Sequence, residues 1–589
     1  MSSDPLAEKL VPDQVTSTEP ADRTKPTGLG RFLPILFWAP NYQRTWLRPD
    51  VIAGVTVAAL VVPKALGYAS IAGVPIQHGL YAAAAGAIIY ALFGTSRQIS
   101  TGPSSALAAV AAGALVTAGV SPGGEDAVAL VAAITIATGL LFLLMAVFKM
   151  GWISQFLSKA VITGFLFGAA IEVVIGELPK LTGTEIEGSN AWQKLWSWVG
   201  SLSETDALTL AVGVVSLLII FGLRFKAPKV PGALALVILG LLASVVLDLG
   251  EEGVALIGDV PRGLPSVTLP DLEFARDNIA VIMSAAVGLL LIGFSQTAGD
   301  ARSFASKHRY RVDINQESVA QGMCNLGSGL VQGIPVSTSL SASSLADGSG
   351  AKTQMASMTT GLMVVLTMLL LAPLFSDLPK PVLAAIIIEA VVMGMMDVPE
   401  MKRLYRVDRP DFWIAMAAIV GVILAGVLAG VVIGVVLSLG ALIYVSAVPE
   451  MPLLGRIKDS QAFLSLEEHP HAETYPGVLV VRFDAGLYFA TSDAFEDGLR
   501  EHALDAEPRV TTVVLDLESV NFIDSQGAET LGKIIGLARN YGADVRLARV
   551  KARILRVLDA DGVIDQLGED HIYGNVYEAA ADFIPADTE

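Results

Sequence analysis

Apolar runs of membrane-spanning length dominate the first 450 residues, and short polar stretches divide them. A spanning helix needs about twenty largely apolar residues, fewer where it is broken. In the first half such runs fall near 51–70, 77–94, 103–118, 127–148, 156–177, 204–223 and 231–249. In the second half they fall near 278–298, 315–332, 337–347, 353–375, 380–396, 411–427 and 429–448. The pattern predicts a polytopic α-helical membrane protein with roughly seven plus seven spans. An odd number of spans per half turns the second half over, so the halves would form two inverted seven-span repeats. The boundaries expected are 1–45 for a disordered N-terminal segment, 46–250 and 275–450 for the repeats, and 452–589 for a soluble domain.

Two stretches break the apolar pattern at matching depths. Val331-Gln332-Gly333-Ile334-Pro335-Val336-Ser337-Thr338-Ser339-Leu340-Ser341 sets Gly, Pro and a hydroxyl cluster inside the second half. Ser100-Thr101-Gly102-Pro103-Ser104-Ser105-Ala106 does the same in the first. Lipid cannot satisfy the backbone groups such a break frees, so irregular backbone at this depth must face protein or a water-filled cavity. Interrupted segments at corresponding places in two halves point to a transporter's binding site. Each stretch predicts a short extended piece followed by the N-terminus of a half-helix, with free N–H groups and a positive dipole end that attract anions.

Beyond Val448 the pattern changes. Val478–Phe483 and Thr511–Leu517 read as strands, and 526–540 as a helix opened by Ser525. Alternating strands and helices predict a small α/β domain.

Charge places this scheme in a membrane. Arg44, Arg48, Lys149, Lys159, Arg224, Lys226, Lys229, Arg302, Lys307, Arg309, Arg311, Lys402, Arg403, Arg406 and Arg409 all fall on one side of a fourteen-span model. The positive-inside rule makes that side cytoplasmic. The opposite loops are acidic at Glu185, Glu187, Glu251, Glu252 and Asp259. The expectation is a multi-pass cell-membrane protein with both termini in the cytosol. Only 16% of the 589 residues are charged, 53% are hydrophobic, and the mean hydropathy is +0.60. A soluble chain carries about a quarter charged residues. The net charge of −18 argues against a nucleic-acid partner. The single Cys324 excludes an internal disulfide and offers no zinc cluster, leaving a small apolar packing role. The first thirty residues lack the apolar core of a signal peptide. No Gly-x-x-x-x-Gly-Lys-Ser/Thr stretch, catalytic triad or metal-ligand spacing is present, so neither cofactor, metal nor enzymatic chemistry is expected.

Several motifs carry a family resemblance. Val62-Pro63-Lys64-Ala65-Leu66-Gly67-Tyr68-Ala69, Gly73-Val74-Pro75 and Gly79-Leu80-Tyr81 resemble the first-span signature of the SulP (sulfate permease) anion transporters. Asn315-Gln316-Glu317, Gly333-Ile334-Pro335-Val336-Ser337 and Lys352-Thr353-Gln354 resemble that family's second-half motifs, and Phe522-Ile523-Asp524-Ser525-Gln526-Gly527 resembles the loop of a STAS domain. The match runs from about Trp46 onward. The resemblance implies a mobile core and a gate, with the third and tenth half-helices meeting head-on in the core between the first and eighth spans. It implies homodimers that move sulfate, bicarbonate, chloride or small dicarboxylates, with sulfate first.

Within that frame the substrate-binding candidates are Lys64, Tyr68, Ser104, Ser105, Gln296, Ser337, Thr338 and Ser339. The hydroxyls can donate to an anion or simply cap the broken helices. Lys64 sits mid-span after Pro63, where an unpaired charge is costly. It can face the anion, pair with Asp300 or Glu172, or snorkel to an interface. The family usually has Gln at position 64, and often an Arg where this chain has Ala342. Many relatives place a carboxylate at Gln296. Asp300, one turn on, can take over proton binding or stand exposed beside Arg302. Glu172 and Glu389 are further coupling-ion candidates, for a proton or sodium. Tyr68 can line the cavity. Gly54, Gly67, Gly73 and Gly86 read as close-packing residues, and His78 and His308 as solvated loop residues. Ser525 resembles the serine phosphorylated in bacterial anti-sigma-factor antagonists. A phosphate there would meet a favourable dipole, and its plainer role is a helix cap after Asp524. The alternatives are a nucleobase or ascorbate transporter, an uncoupled anion channel, and a non-transporting anion sensor signalling through Ser525.

Overall fold

The computed structural model describes residues 32–150, 158–188, 190–227, 230–258, 260–261, 263–506 and 508–584. The N-terminal segment up to residue 31, the start of the fifth apolar run at 156–157, Lys229 and Asp259 lie outside the described residues. The chain divides into two compact units, one up to Ser438 and one from Leu439.

A helix occupies every one of the apolar runs. In the first half these are α1 (Arg44–Ile71), α2 (Gln77–Phe93), α3 (Ser105–Ala118), α4 (Glu125–Val147), α5 (Lys159–Thr182), α6 (Ala207–Lys226) and α7 (Gly232–Val246). In the second they are α8 (Ile279–Lys307), α9 (Ile314–Leu330), α10 (Leu340–Gly348), α11 (Met355–Leu370), α12 (Lys380–Met395), α13 (Arg409–Ala425) and α14 (Val427–Ala447). Among the described residues, six helices are long and apolar enough to cross a membrane. The pattern missed the amphipathic helices Ala191–Ser201 and Val398–Val407, whose apolar faces are too short to read as spans. It also ended α8 nine residues early, because Gln296, Asp300 and Arg302 interrupt its hydropathy without interrupting the helix.

The halves interleave. Helices α9 and α11 pack on α2, α9 also on α4, α11 on α1, and α8 on α3 and α4. Separately, α5 packs on α12 and α13, and α6 on α7 and α12. Close approach needs small residues. A Cβ at Gly79 of α2 would stand 1.9 Å from the Ala65 carbonyl oxygen of α1. Neither Gly54 nor Gly67 has room for one either, whereas Gly73 is a turn residue with φ +72°.

The two breaks become one antiparallel ribbon. Strand β1 (Thr101–Pro103) pairs with β2 (Val336–Thr338), with Thr101 opposite Thr338, Gly102 opposite Ser337 and Pro103 opposite Val336. Gly86 of α2 lies under it, where a Cβ would be 3.2 Å from the Thr101 carbonyl oxygen. Because the strands are antiparallel, α3 and α10 start from opposite ends of the ribbon.

Helix α9 satisfies the other edge. Glu317, Gln321, Asn325 and Ser328 form a fully buried polar stripe at helical spacing. Asn325 Oδ1 accepts from the Val336 N–H at 3.0 Å, and its Nδ2 donates to the Val336 carbonyl at 2.9 Å. One amide thus imitates a third strand. Gln321 Nε2 donates to Thr101 Oγ1 at 3.0 Å, and Ser328 Oγ to the Ile334 carbonyl at 2.7 Å. The Glu317 carboxylate accepts from Tyr90 Oη at 2.6 Å, from the N–H groups of Thr95 and Ser96 at 2.8 and 3.1 Å, and from the Thr95 hydroxyl. Asp50 accepts from Thr353 Oγ1 at 2.7 Å and from the Lys352 and Thr353 N–H groups at 2.6 and 3.1 Å. Gln354 donates to the Ser96 and Ile99 carbonyls, at 2.5 and 3.0 Å. The segment leading into β1 is therefore clamped from the second half of the chain. His78, expected in a solvated loop, is instead buried, with Nδ1–H donating to the Gln332 carbonyl at 2.6 Å. Cys324 is buried and packs beside the Gly86 carbonyl.

The second unit carries a hairpin, β3 (Leu454–Arg456) with β4 (Phe463–Ser465), which the sequence pattern missed. Its main sheet is parallel, in the order β5 (Val478–Arg482), β6 (Thr512–Asp516), β7 (Asp544–Ala548), β8 (Ile572–Tyr573). The helices Ser492–Asp505, Ser525–Asn540 and Ala552–Ala560 lie between these strands in sequence. Every residue of β6 is buried, as in a sheet covered on both faces. Asp524, not Ser525, caps the central helix, accepting from the Gly527 N–H at 2.8 Å. Ser525 is the first helical residue and is exposed.

Replacing Asn325 by Ala leaves the buried N–H and C=O of Val336 without their side-chain partners. Each such loss costs about 1–3 kcal/mol. Asn325→Ala is expected to lower the thermal unfolding midpoint of the detergent-purified protein by several degrees. An unchanged midpoint would show that the amide is dispensable to the ribbon.

Candidate anion site at the broken helices

The site begins with α1. Pro49 and Pro63 lie inside that helix, and Pro63 deletes one ladder hydrogen bond immediately before Lys64. Lys64 and Tyr68, one turn apart, face the ribbon. With Ser100, Gly102, Pro103, Ser339, Ser341 and Ala342 they line a small cavity of about 20 Å³, roughly the room one water needs. The first-turn N–H groups of α3 and α10 have no acceptor within their own helices, and the first turn of α10, through Ser341 and Ala342, forms part of the cavity wall. The cavity thus brings a lysine together with the positive N-terminal end of α10, next to the strand that leads into α3.

Lys64 pairs with neither Asp300 nor Glu172. Among the described residues no carboxylate lies within 4.0 Å of its ammonium. The acidic group whose field reaches it is Glu389 of α12, itself 3.9 Å from Arg224 Nε. Tyr68 is buried, with its hydroxyl beside that of Ser105.

The hydroxyls divide by what they already do. Ser104 and Ser339 are the N-caps of α3 and α10, accepting from the Leu107 and Ala342 N–H groups at 3.4 Å each. A capping oxygen accepts, so its own O–H remains a donor. Ser337 Oγ donates to Gln296 Oε1 at 2.7 Å, and Thr338 Oγ1 donates to Asp300 Oδ2 at 2.8 Å. These two protons are engaged with α8, and the two bonds tie β2 to that helix. Asp300 is half-buried against β2. Its fellow coupling candidates lie elsewhere: Glu172 pairs with Lys194 at 3.7 Å and Glu389 with Arg224.

Sequence reasoning missed Gln321 and Asn325, which order the ribbon. The signal was available in the spacing of Glu317, Gln321, Asn325 and Ser328, a polar stripe on an otherwise apolar span. Among the described residues no group of His, Cys, Asp or Glu could hold a metal ion.

Two broken segments paired as a ribbon within an interleaved helical core, joined in sequence to a parallel α/β unit, define a multi-pass membrane protein built for transport. Comparison with known proteins places it. The model of the sulfate permease family matches residues 47–418, and that of the STAS domain matches residues 469–579. A probable sulfate transporter of Mycobacterium tuberculosis (strain CDC 1551 / Oshkosh) is 33% identical over 546 residues, covering 91% of this chain and 96% of its own. Sulfate transporter 3.1 of Arabidopsis thaliana is 29% identical over 598 residues, 98% of this chain and 91% of its own. Among solved structures, murine solute carrier 26 family member A9, an anion transporter, superposes with a TM-score of 0.85 at 21% identity over 96% of each chain. The transmembrane domain of a cyanobacterial bicarbonate transporter, BicA, superposes with a TM-score of 0.57 at 22% identity, over 68% of this chain and 99% of that domain. The chain belongs to the sulfate permease family and carries its STAS domain.

Ala342 offers a direct test of where the path runs, because its methyl group is a wall of the cavity. Ala342→Leu should reduce anion uptake by reconstituted protein at least tenfold, at an overpacking cost of about 1–3 kcal/mol visible in thermal unfolding. Full uptake by the folded variant would place the path elsewhere.

Proposed function

We propose that the protein is a secondary active transporter of an inorganic anion, sulfate first and bicarbonate second. The anion binds between the N-termini of α3 and α10, against Lys64. The observation that carries this reading is the cavity shared by Lys64, Tyr68, the ribbon and the first turn of α10, where a positive helix end meets a lysine with no carboxylate within 4.0 Å among the described residues. The ranking of sulfate rests on the names of the curated relatives. Lys64 supplies the positive charge that balances the anion, in place of the absent basic residue at Ala342. The hydroxyls of Ser104, Ser105 and Ser339 and the amides that open α3 and α10 complete the coordination, whereas the amide after Pro335, that of Val336, is already held by Asn325. Membership of a transporter family, rather than any catalytic constellation, supports a non-enzymatic role.

Coupling is assigned to Asp300. It is the one carboxylate of the three candidates that touches the ribbon, through Thr338, so gain or loss of its proton would be felt at β2. The cotransported ion is then a proton, with sodium as the competitor. We place the protein in the cell membrane with both termini cytoplasmic, and expect a homodimer.

The first experiment is uptake of radiolabelled sulfate and bicarbonate into liposomes under imposed proton and sodium gradients. Wild type should show saturable sulfate uptake driven by an inward proton gradient. Lys64→Gln should raise KM about tenfold, the equivalent of 1.4 kcal/mol. Unaltered affinity in that variant would remove Lys64 from the site.

Asp300→Asn separates coupling from binding. It should retain sulfate exchange while losing acceleration by the proton gradient. A variant still driven by protons would return the coupling role to Glu172 or Glu389.

A further inference from the structure

A second cavity lies away from the broken helices, in the furrow between α5, the amphipathic helix Val398–Val407 and the start of α13. It is the larger of the two, about 860 Å³. Its walls are apolar, with Phe167 and Ile171 from α5 and Phe412, Met416 and Ile419 from α13. Its rim carries Lys402, Arg406 and Arg409, all exposed.

The rim cations stand out by what they lack. Lys159 and Arg403 share the Glu400 carboxylate, at 3.1 and 2.7 Å. Among the described residues, Lys402, Arg406 and Arg409 have no carboxylate within 4.0 Å, and Arg409 lies over the Tyr405 ring, 6.0 Å from its centroid. Asp408 and Asp411 are near in sequence but form no ion pair with them. Lys402 and Arg406 sit four residues apart on one helical face, where like charges repel. An anion seated between them would relieve that repulsion.

We propose that this furrow binds an anionic phospholipid, with its headgroup phosphate on Lys402, Arg406 and Arg409 and an acyl chain along the wall of Phe167, Phe412 and Met416. Basic pockets between membrane helices beside an interfacial amphipathic helix suit such headgroups. The apolar wall favours a lipid over a free phosphate or sulfate, and the three cations favour an anionic lipid over a neutral one. A second copy of the chain fits poorly. A two-fold contact would press the basic rim against its own mate. The site is independent of the transport reading and does not touch the residues assigned to the anion.

The test uses full-length protein in detergent and follows thermal unfolding on addition of phosphatidylglycerol, phosphatidylcholine or inorganic phosphate. Phosphatidylglycerol should raise the midpoint saturably by about 3 °C or more, as a ligand selective for the folded state does. Phosphatidylcholine and inorganic phosphate should not. The combined variant Lys402→Gln, Arg406→Gln, Arg409→Gln should lose most of the shift, whereas Arg44→Gln with Lys226→Gln, removing two cations outside the furrow, should keep it. Met416→Trp, which fills the apolar wall without altering charge, should also weaken it. Should the triple variant fail to fold, native mass spectrometry of the wild type with both lipids in equal amount decides, with phosphatidylglycerol adducts expected in about tenfold excess. Equal effects of the two lipids, a shift reproduced by inorganic phosphate, equal loss in the control variant, or a midpoint that follows protein rather than lipid concentration would each overturn the proposal.

Discussion

The structure depends on how backbone polar groups are satisfied where two helices stop at membrane depth. An unpaired N–H or C=O there costs several kcal/mol, and no solvent is available to meet it. Pairing Thr101–Pro103 with Val336–Thr338 lets each break supply part of what the other lacks. Pro103 has no N–H to offer, and the outer edge of β2 would still be bare. Asn325 closes that edge. The two halves therefore cannot separate at this point without exposing the groups the ribbon hides, and this ties the first half of the chain to the second.

The same solution creates the chemistry. Joining the breaks as an antiparallel ribbon starts α3 and α10 from its two ends, and sets the first turn of α10 beside Lys64 and Tyr68. Lys64 is delivered to that place by α1, which the Asp50 contacts with Lys352 and Thr353 tie to the segment after α10. An isolated lysine in such surroundings is costly. Its cost would fall with an anion beside it, which is the arrangement the proposed anion site calls for. Asp300 and Gln296, fastened to neighbouring residues of β2, give α8 a direct mechanical hold on the same ribbon.

Much of this was legible in the residues. The apolar runs, the paired Gly-Pro-hydroxyl breaks and the switch to strands after Val448 follow from periodicity and composition, and each became the element expected. The family motifs were legible as well, but their purpose was not. Glu317, Thr353 and Gln354 are clamps whose partners lie more than two hundred residues away. His78 looked like a loop residue because it sits beside a turn, and became buried because Gln332 arrives from the opposite half. Ser525 looked like a cap until Asp524 took the capping position.

By itself the sequence determined the helices, the two places where they break, the positive character of a broken-helix site, and the parallel α/β unit that follows. These depend on local periodicity, on the missing N–H of proline and on hydropathy, all read over a few turns of chain. Only the tertiary structure decided which hydroxyls are engaged by α8. Ser337, Thr338 and Ser339 are consecutive hydroxyl residues, yet the protons of the first two are engaged by Gln296 and Asp300, while Ser339 Oγ caps its own helix and lies 3.3 Å from Ser341 Oγ. Which of three acids touches the ribbon, and that Lys64 stands without a paired carboxylate, were decided in the same way. Hydrogen bonds and ion pairs act over about 3–4 Å, and the residues they join are brought that close by packing rather than by their separation along the chain.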